Sequence, residues 1–390
     1  MTRNFTESLA LGRTDCCAGA AGLTCAGVDG CARFAVFWDS PAQPLSAKNA
    51  NRIALSRGLI DGIKTASTLL LSLLGQRGFK THARTVEVEG DTLELIVQPA
   101  DGSKPILGAI ERAKSTLDIA IFRFDLKPVE KAIDAAVKRG VAVRALIAHT
   151  NSGGEKRLRQ LEQRMLDFGV TVTRTPDDLA RYHGKMMIVD RQELHVYGFN
   201  YTGLDLKSRS LGVVVRERRF VQEALRLFES DVQRQDFEPN FDGIVVSPEN
   251  AREQLATFIK RAKKSLVIWD PKLTDPQMLR LLTQRAKSGV DIRVIGKVAR
   301  RAGSTIRVQK SPLRLHVRAA VRDGSEAFAG SQSLRALELD GRREVGILIR
   351  EPKIVKTIAD LFEADWAKTE MGQKEIKVIE KELALEEVAG

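Results

Sequence analysis

The stretch Tyr182-His183-Gly184-Lys185-Met186-Met187-Ile188-Val189-Asp190 sets a histidine and a lysine directly ahead of an apolar strand that ends in a carboxylate. Alternate residues of a strand share a face, so His183 and Lys185 are expected to point into one pocket. An imidazole, a cation two residues on and an anion seven residues on are groups that phosphate chemistry uses. Gly198-Phe199-Asn200-Tyr201-Thr202 follows, a Gly-led turn whose Asn200 amide and Thr202 hydroxyl can bond phosphate oxygens.

The pattern occurs twice. Ala113-Lys114-Ser115-Thr116-Leu117 matches Ala262-Lys263-Lys264-Ser265-Leu266 at a spacing of 149 residues, and Lys138–Arg144 matches Lys287–Arg293 at the same spacing. Leu315-His316-Val317-Arg318-Ala319-Ala320-Val321-Arg322-Asp323 then repeats the opening stretch, with His316 133 residues after His183. The missing 16 residues correspond to a charged helix over about 154–168 that the second half lacks or shortens. Gly330-Ser331-Gln332-Ser333 is matched to Gly198-Phe199-Asn200-Tyr201. One such histidine is ordinarily a core residue beside a surface cation, but here two of only five histidines occupy equivalent points of a duplication. A repeat of this length means two similar lobes, not a solenoid of small units.

His-x-Lys/Arg-x4-Asp in duplicate resembles the signature of the phospholipase D superfamily, over about residues 90–370, and looks closest to its cardiolipin synthase-like and phospholipase D-like bacterial members. The resemblance implies an α/β fold, two pseudo-twofold related lobes that are each a mixed-sheet α/β/α sandwich, with both motifs meeting at the axis. It implies catalytic His183, Lys185, Asp190, His316, Arg318 and Asp323, and substrate contacts from Asn200, Ser331 and Glu344; the turn residues Thr202 and Gln332 are expected to join those contacts. Two histidines across a phosphodiester permit covalent catalysis: one attacks phosphorus and the other protonates the departing alkoxide. Water or a lipid alcohol then opens the phosphohistidine. Family analogy makes His183 the nucleophile, although the residues themselves do not order the pair. Lys185 and Arg318 would neutralise the phosphoryl oxygens, so no divalent metal and no cofactor is expected. Asp190 and Asp323 would each orient an imidazole. The departures from the pattern are Arg318 in place of Lys, Phe199 in place of a small Ser, Ser210 opposite Glu344, and Gln332 opposite Asn200.

The remaining sequence frames this core. With 62 basic and 50 acidic residues, the chain carries a net charge of +12, which favours anionic partners without choosing among lipid, nucleic acid and phosphorylated substrates. Its four cysteines all lie within the first 31 residues and have no histidine among them, so neither a disulfide framework nor a zinc site is expected. Residues 1–84 read as an extension, poorly ordered and then helical from Asn51 to about Leu74. The apolar end of that helix suits packing on the domain, with an interfacial membrane anchor as the alternative. Helix and strand alternate from Thr85 onward, which argues for a largely parallel sheet covered on both faces. The expected boundaries are 85–238 for the first lobe, 239–370 for the second and 371–390 for an exposed helical tail. No run reaches 18 apolar residues, so a spanning helix is not expected, and the expected location is cytoplasmic or peripheral at the inner membrane.

Three functions compete. A lipid phosphodiesterase or phosphatidyltransferase leads, acting on phospholipid with possible peripheral contact to an anionic membrane. A nuclease using the same histidines is the alternative, though aromatics for base stacking amount to only 5% of residues. A non-catalytic phosphate-binding relative is the third. Since both motifs lie in one chain, a monomer suffices to form the site.

Overall fold

Apolar runs separated by Pro- and Gly-bounded amphipathic stretches fold here as two copies of one sheet. The computed structural model describes residues 92–150, 155–299 and 305–389. The whole N-terminal extension, with its cysteine cluster and the helix expected over 51–74, and residues 85–91 at the expected start of the first lobe lie outside the described residues.

The first lobe runs β1 (Leu93–Gln98), α1 (Lys104–Arg112), β2 (Thr116–Ile121), α2 (Lys127–Lys138), β3 (Ala142–Ile147), α3 (Glu155–Asp167), β4 (Thr171–Arg174), β5 (Arg181–Tyr182), β6 (Met186–Val189), β7 (Glu193–Tyr197), α4 (Gly203–Leu206), β8 (Ser210–Val215) and α5 (Arg218–Gln233). The second runs β9 (Ile244–Ser247), α6 (Ala251–Lys260), β10 (Ser265–Leu273), α7 (Pro276–Lys287), β11 (Asp291–Val298), β12 (Arg307–Gln309), β13 (Arg318–Arg322), β14 (Glu326–Gly330), α8 (Ala336–Asp340), β15 (Arg342–Ile349) and α9 (Pro352–Trp366), followed by α10 (Glu370–Ala389). Prolines open α1, α2, α7 and α9, where a missing N–H costs nothing. Gly140 (φ +88°) and Gly289 (φ +91°) end α2 and α7 in the left-handed conformation that glycine adopts without strain.

The sheet orders are β1-β8-β7-β6-β2-β3-β4 and β9-β15-β14-β13-β10-β11-β12, the same order twice. Within these two seven-strand runs, β2-β3-β4 and β10-β11-β12 pair in parallel and the other neighbours are antiparallel. The sheets are therefore mixed, as the resemblance implies, and not largely parallel as the helix–strand alternation suggested. The chain returns directly from β6 to β7 and from β7 to β8 without a crossover, which makes those pairs antiparallel. The helix α3 accounts for the length difference between the lobes; among the described residues, no helix lies between β11 and β12.

β6 is apolar throughout because it feeds two cores. Met186 and Ile188 join the central core, which both sheets share with α5 and α9. Met187 and Val189 face the outer core of the first lobe instead. Ahead of β6 the chain crosses to the other lobe: β5 adds in parallel to the edge of β15, placing Arg181 and Tyr182 opposite Arg342 and Arg343. Arg209, just before β8, pairs in return with Leu315 of the second lobe. Both motifs are thereby drawn to the junction between the sheets. The tail is less free than expected, since Glu375 on α10 accepts hydrogen bonds from Arg307 and Trp366 at 2.9 and 2.8 Å. Among the described residues, no helix is long and apolar enough to cross a membrane.

Candidate active site

His183 and Lys185 precede β6 and share one pocket. Nδ1 of His183 donates to Oε2 of Glu344 at 2.8 Å, and Glu344 comes from β15 of the opposite lobe. With Nδ1 so occupied, Nε2 carries the lone pair, and Nζ of Lys185 lies beside both ring nitrogens, 2.8 Å from Nδ1 and 2.9 Å from Nε2. Lys185 also donates to the carbonyl of His183. The edge of the Phe122 ring meets the imidazole, with the ring centroids 4.5 Å apart. Ser331 braces the base of Glu344, its hydroxyl accepting from the Val345 amide at 3.1 Å.

The second motif repeats this arrangement with different groups. Nη1 of Arg318 donates to the carbonyl of His316 at 2.9 Å, the counterpart of the bond from Lys185 to His183. Its Nε reaches the hydroxyl of Ser333 at 3.3 Å. Nε2 of His316 lies 3.6 Å from Oδ2 of Asp205, which again belongs to the opposite lobe. Asp205 also accepts from the amide and side chain of Asn200, at 3.0 and 2.6 Å, and from Arg314 at 2.8 Å. Three buried polar atoms here form no hydrogen bond: Asn200 Oδ1, His316 Nδ1 and Glu344 Oε1. Buried polar groups are ordinarily satisfied, so three orphans among the two histidines' own group and its partners mark a binding site.

Burial, with the charges of Lys185 and Arg318, holds His183 well below the ordinary imidazole value. Burial holds His316 low as well, with Arg318 adding to it against the pull of Asp205. Both rings are therefore held toward their neutral form. Burial also pushes the Lys185 ammonium down to about 7, although Glu344 favours its charge. Glu344 sits above the usual carboxylate range, again through burial.

Several expected roles change. Asp190 and Asp323 do not meet the imidazoles. Asp190 accepts from the backbone amides of Lys114, Ser115 and Thr116, and Asp323 from those of Lys263, Lys264 and Ser265. Each ends an extended strand and ties it to the turn before β2 or β10, far from its own histidine. Gln332 turns into the second lobe, donating to the Val245 carbonyl at 2.9 Å and accepting from the Ser331 amide. The Thr202 hydroxyl accepts from the Asp205 amide at 3.3 Å as the cap of α4. Among the described residues, no set of three or more His, Cys, Asp or Glu side chains is grouped to hold a metal.

The register of the repeat also shifts by one residue. Gly198 donates to Leu211 as Ser331 donates to Val345, and Asn200 bonds Asp205 as Ser333 bonds Glu338. Gly198 thus corresponds to Ser331 and Asn200 to Ser333, at the 133-residue spacing of the histidines. Aligning the two glycines by identity hides this. Asp205, Glu338 and Ser333 were missed for that reason, and holding the spacing constant would have paired them.

A family model described as "Cardiolipin synthase, PLD-like domain" matches residues 106–232. The phospholipase D of Rickettsia felis is 27% identical over 127 residues, covering 32% of this chain. The chain spans 61% of that relative's length. Two crystal structures share the fold. The polyphosphate kinase of Porphyromonas gingivalis superposes with a TM-score of 0.61 at 17% identity, covering 70% of this chain and 46% of that one. The phosphatidylserine synthase of Haemophilus influenzae Rd KW20 gives 0.55 at 11%, covering 70% and 85%. The sequence match falls on the first lobe, and the second lobe repeats its sheet order. With two matched His-x-Lys/Arg motifs at the junction of two like sheets, the chain is similar to phospholipase D-like proteins over its first lobe and shares the two-lobed fold of its structural neighbours.

Proposed function

We propose that the chain is a phospholipase D-like phosphodiesterase or phosphatidyltransferase that works on phospholipid through a covalent phosphohistidine. The observation that carries this reading is the crossed pairing at the lobe junction: each buried imidazole meets a carboxylate of the opposite lobe, beside a cation on its own strand. The two pairings are unequal. Glu344 bonds Nδ1 of His183 directly, whereas the equivalent position opposite His316 is Ser210, whose hydroxyl reaches only the His316 carbonyl at 3.4 Å.

In this reading Glu344 orients His183 and leaves Nε2 as the nucleophile. Nε2 attacks phosphorus, the bond from phosphorus to the leaving oxygen breaks, and His316, protonated as the phosphate anion binds, gives that oxygen its proton. Water or a lipid alcohol then loses a proton to His316 and attacks the phosphohistidine. The P–N bond breaks and His183 is restored. Lys185 and Arg318 balance the charge on the phosphoryl oxygens throughout. The family model's description and the name of the Rickettsia relative support a lipid substrate, as does an apolar edge on the His316 side. Leu204 and Leu313 are 60% and 38% exposed, and each adjoins a member of the Asp205–Arg314 pair.

The test is purified full-length chain, with EDTA present, given phosphatidylglycerol or phosphatidylcholine vesicles and, separately, plasmid DNA. Lipid turnover that is lost in His183→Ala is the expected result. Cleavage of DNA alone would make the protein a nuclease, and turnover of neither would make it a phosphate-binding relative.

A further inference from the structure

Behind the site, two buried ion pairs cross the lobe junction in opposite directions. Arg209, at the start of the first lobe's last strand, bonds Asp365 on α9 of the second lobe through Nε and Nη2, at 2.7 and 2.8 Å. Arg343, at the start of the second lobe's last strand, bonds Asp231 on α5 of the first lobe at 3.1 Å. The two arginines are 134 residues apart, and so are the two aspartates. Each arginine also donates Nη1 to the last carbonyl of an edge strand, that of Gln98 on β1 or Ser247 on β9, at 2.9 and 3.0 Å. All four side chains are buried.

The backbone of these arginines holds the histidines. The His183 amide donates to the Arg343 carbonyl at 2.8 Å, and the His316 amide donates to the Arg209 carbonyl at 3.0 Å. A guanidinium clamped at two points fixes its own peptide, and the carbonyl of that peptide accepts the histidine's amide. We propose that Arg209–Asp365 and Arg343–Asp231 are positioning pairs that act crosswise, the first setting His316 and the second setting His183. Buried ion pairs add little net stability but fix a unique arrangement, and here the arrangement is the approach of two rings from separate lobes. The pairs differ in one respect: Arg343 also bonds Glu249, so the His183 side has a second anchor.

The inference deepens the catalytic reading above, and its test separates the two. Histidine Cε1–H resonances of the folded full chain, assigned by single His→Gln substitutions, are compared in Arg209→Lys, Asp365→Asn, Arg343→Lys and Asp231→Asn. The first two variants are expected to shift His316 and leave His183 in place, and the last two to do the reverse. Turnover adds a second readout. Arg209→Lys should lose about 10- to 100-fold in kcat on phosphatidylcholine, whose alkoxide needs a proton to leave, but little on bis(p-nitrophenyl) phosphate, whose p-nitrophenolate does not. Arg343→Lys should lose on both, with KM little changed. Where an arginine variant does not fold, the aspartate variant of the same pair, which keeps the side-chain shape, decides. Equal shifts of both rings in every variant, or no shift of either, would overturn the proposal. A wild-type chain inactive on both substrates would sink the catalytic reading, while the ring shifts still decide the positioning role.

Discussion

Glu344 of the second lobe accepts a 2.8 Å hydrogen bond from Nδ1 of His183 in the first. This bond chooses the tautomer of the ring, so Nε2 is the nitrogen with a free lone pair. Glu344→Gln preserves the shape but removes the charge that stabilises the ring as it becomes bonded to phosphorus. The expected outcome is a fall of about 100-fold in kcat with a near-normal melting temperature, in line with other carboxylates that support a catalytic or metal-bound histidine. Activity within threefold of wild type on bis(p-nitrophenyl) phosphate would show that the bond does not serve catalysis.

Asp190 is expected to behave differently, because its partners are three backbone amides and the Ser115 hydroxyl. Burial would raise its carboxyl, but the amides outweigh this and hold it below the usual value. A carboxyl with a depressed folded pKa contributes stability that is present above the unfolded value near 3.9 and is lost as pH falls through the folded one. Asp190→Asn should therefore cost about 1–3 kcal/mol in a denaturation experiment at pH 7, and less near pH 3. Its kcat should stay within about tenfold of wild type, against a complete loss for His183→Ala. If Asp190→Asn abolished turnover in a protein of normal stability, a direct catalytic part would have to be restored to it.

The contrast between Glu344 and Asp190 shows what the sequence carries. His183, Lys185, His316 and Arg318 stand out because they sit beside runs that must be strands, and the duplication marks them twice. The two-lobe plan follows from the same repeat. Asp190 is only five residues from Lys185 in sequence, but β6 is extended, which carries it about 15 Å away. Proximity in sequence is misleading there. Asp205 and Glu344 reach histidines of the opposite lobe, and local periodicity says nothing about contacts across a twofold. Sequence could have paired Asp205 with Glu338 by constant spacing, but it could not have shown that Asp205 faces His316. The mixed pairing of the sheets was similarly hidden, because helix–strand alternation describes only β2 to β4 and β10 to β12.

Leu204 and Leu313 bracket the Asp205–Arg314 pair beside His316, with the exposed Lys207 and Lys310 nearby in sequence. The equivalent approach in the first lobe carries Asp177 and Asp178 instead, so the two sides of the mouth differ in charge. An anionic bilayer would meet the basic, apolar side. Burying two leucine side chains in the interface is worth about 3–6 kcal/mol at most, enough to matter for a peripheral enzyme. Leu204→Ser with Leu313→Ser is expected to lower turnover of phosphatidylglycerol vesicles by tenfold or more and to leave bis(p-nitrophenyl) phosphate hydrolysis unchanged. Equal losses on both substrates would mean that the leucines serve the fold and not the membrane.

Burial disfavours the cationic forms of Lys185 and His316 in the free protein. Burial brings Lys185 down to about 7, and burial with Arg318 keeps His316 neutral well below its ordinary value. A phosphate anion placed between the two lobes reverses both effects, because it supplies the negative charge that each cationic form lacks. Binding should therefore take up protons, and the uptake should grow as pH rises from 6 through 8, where more of the free site is deprotonated. Calorimetric titration with inorganic phosphate in two buffers of different ionisation enthalpy measures this directly, once the ionisation of phosphate itself is subtracted. Uptake approaching one proton is expected at pH 7.5, less in Lys185→Met and less again in Lys185→Met with His316→Gln. Binding that moves no protons at any pH in this range would mean that the cations are already charged in the free protein, and the acid role of His316 would then not depend on the substrate's arrival.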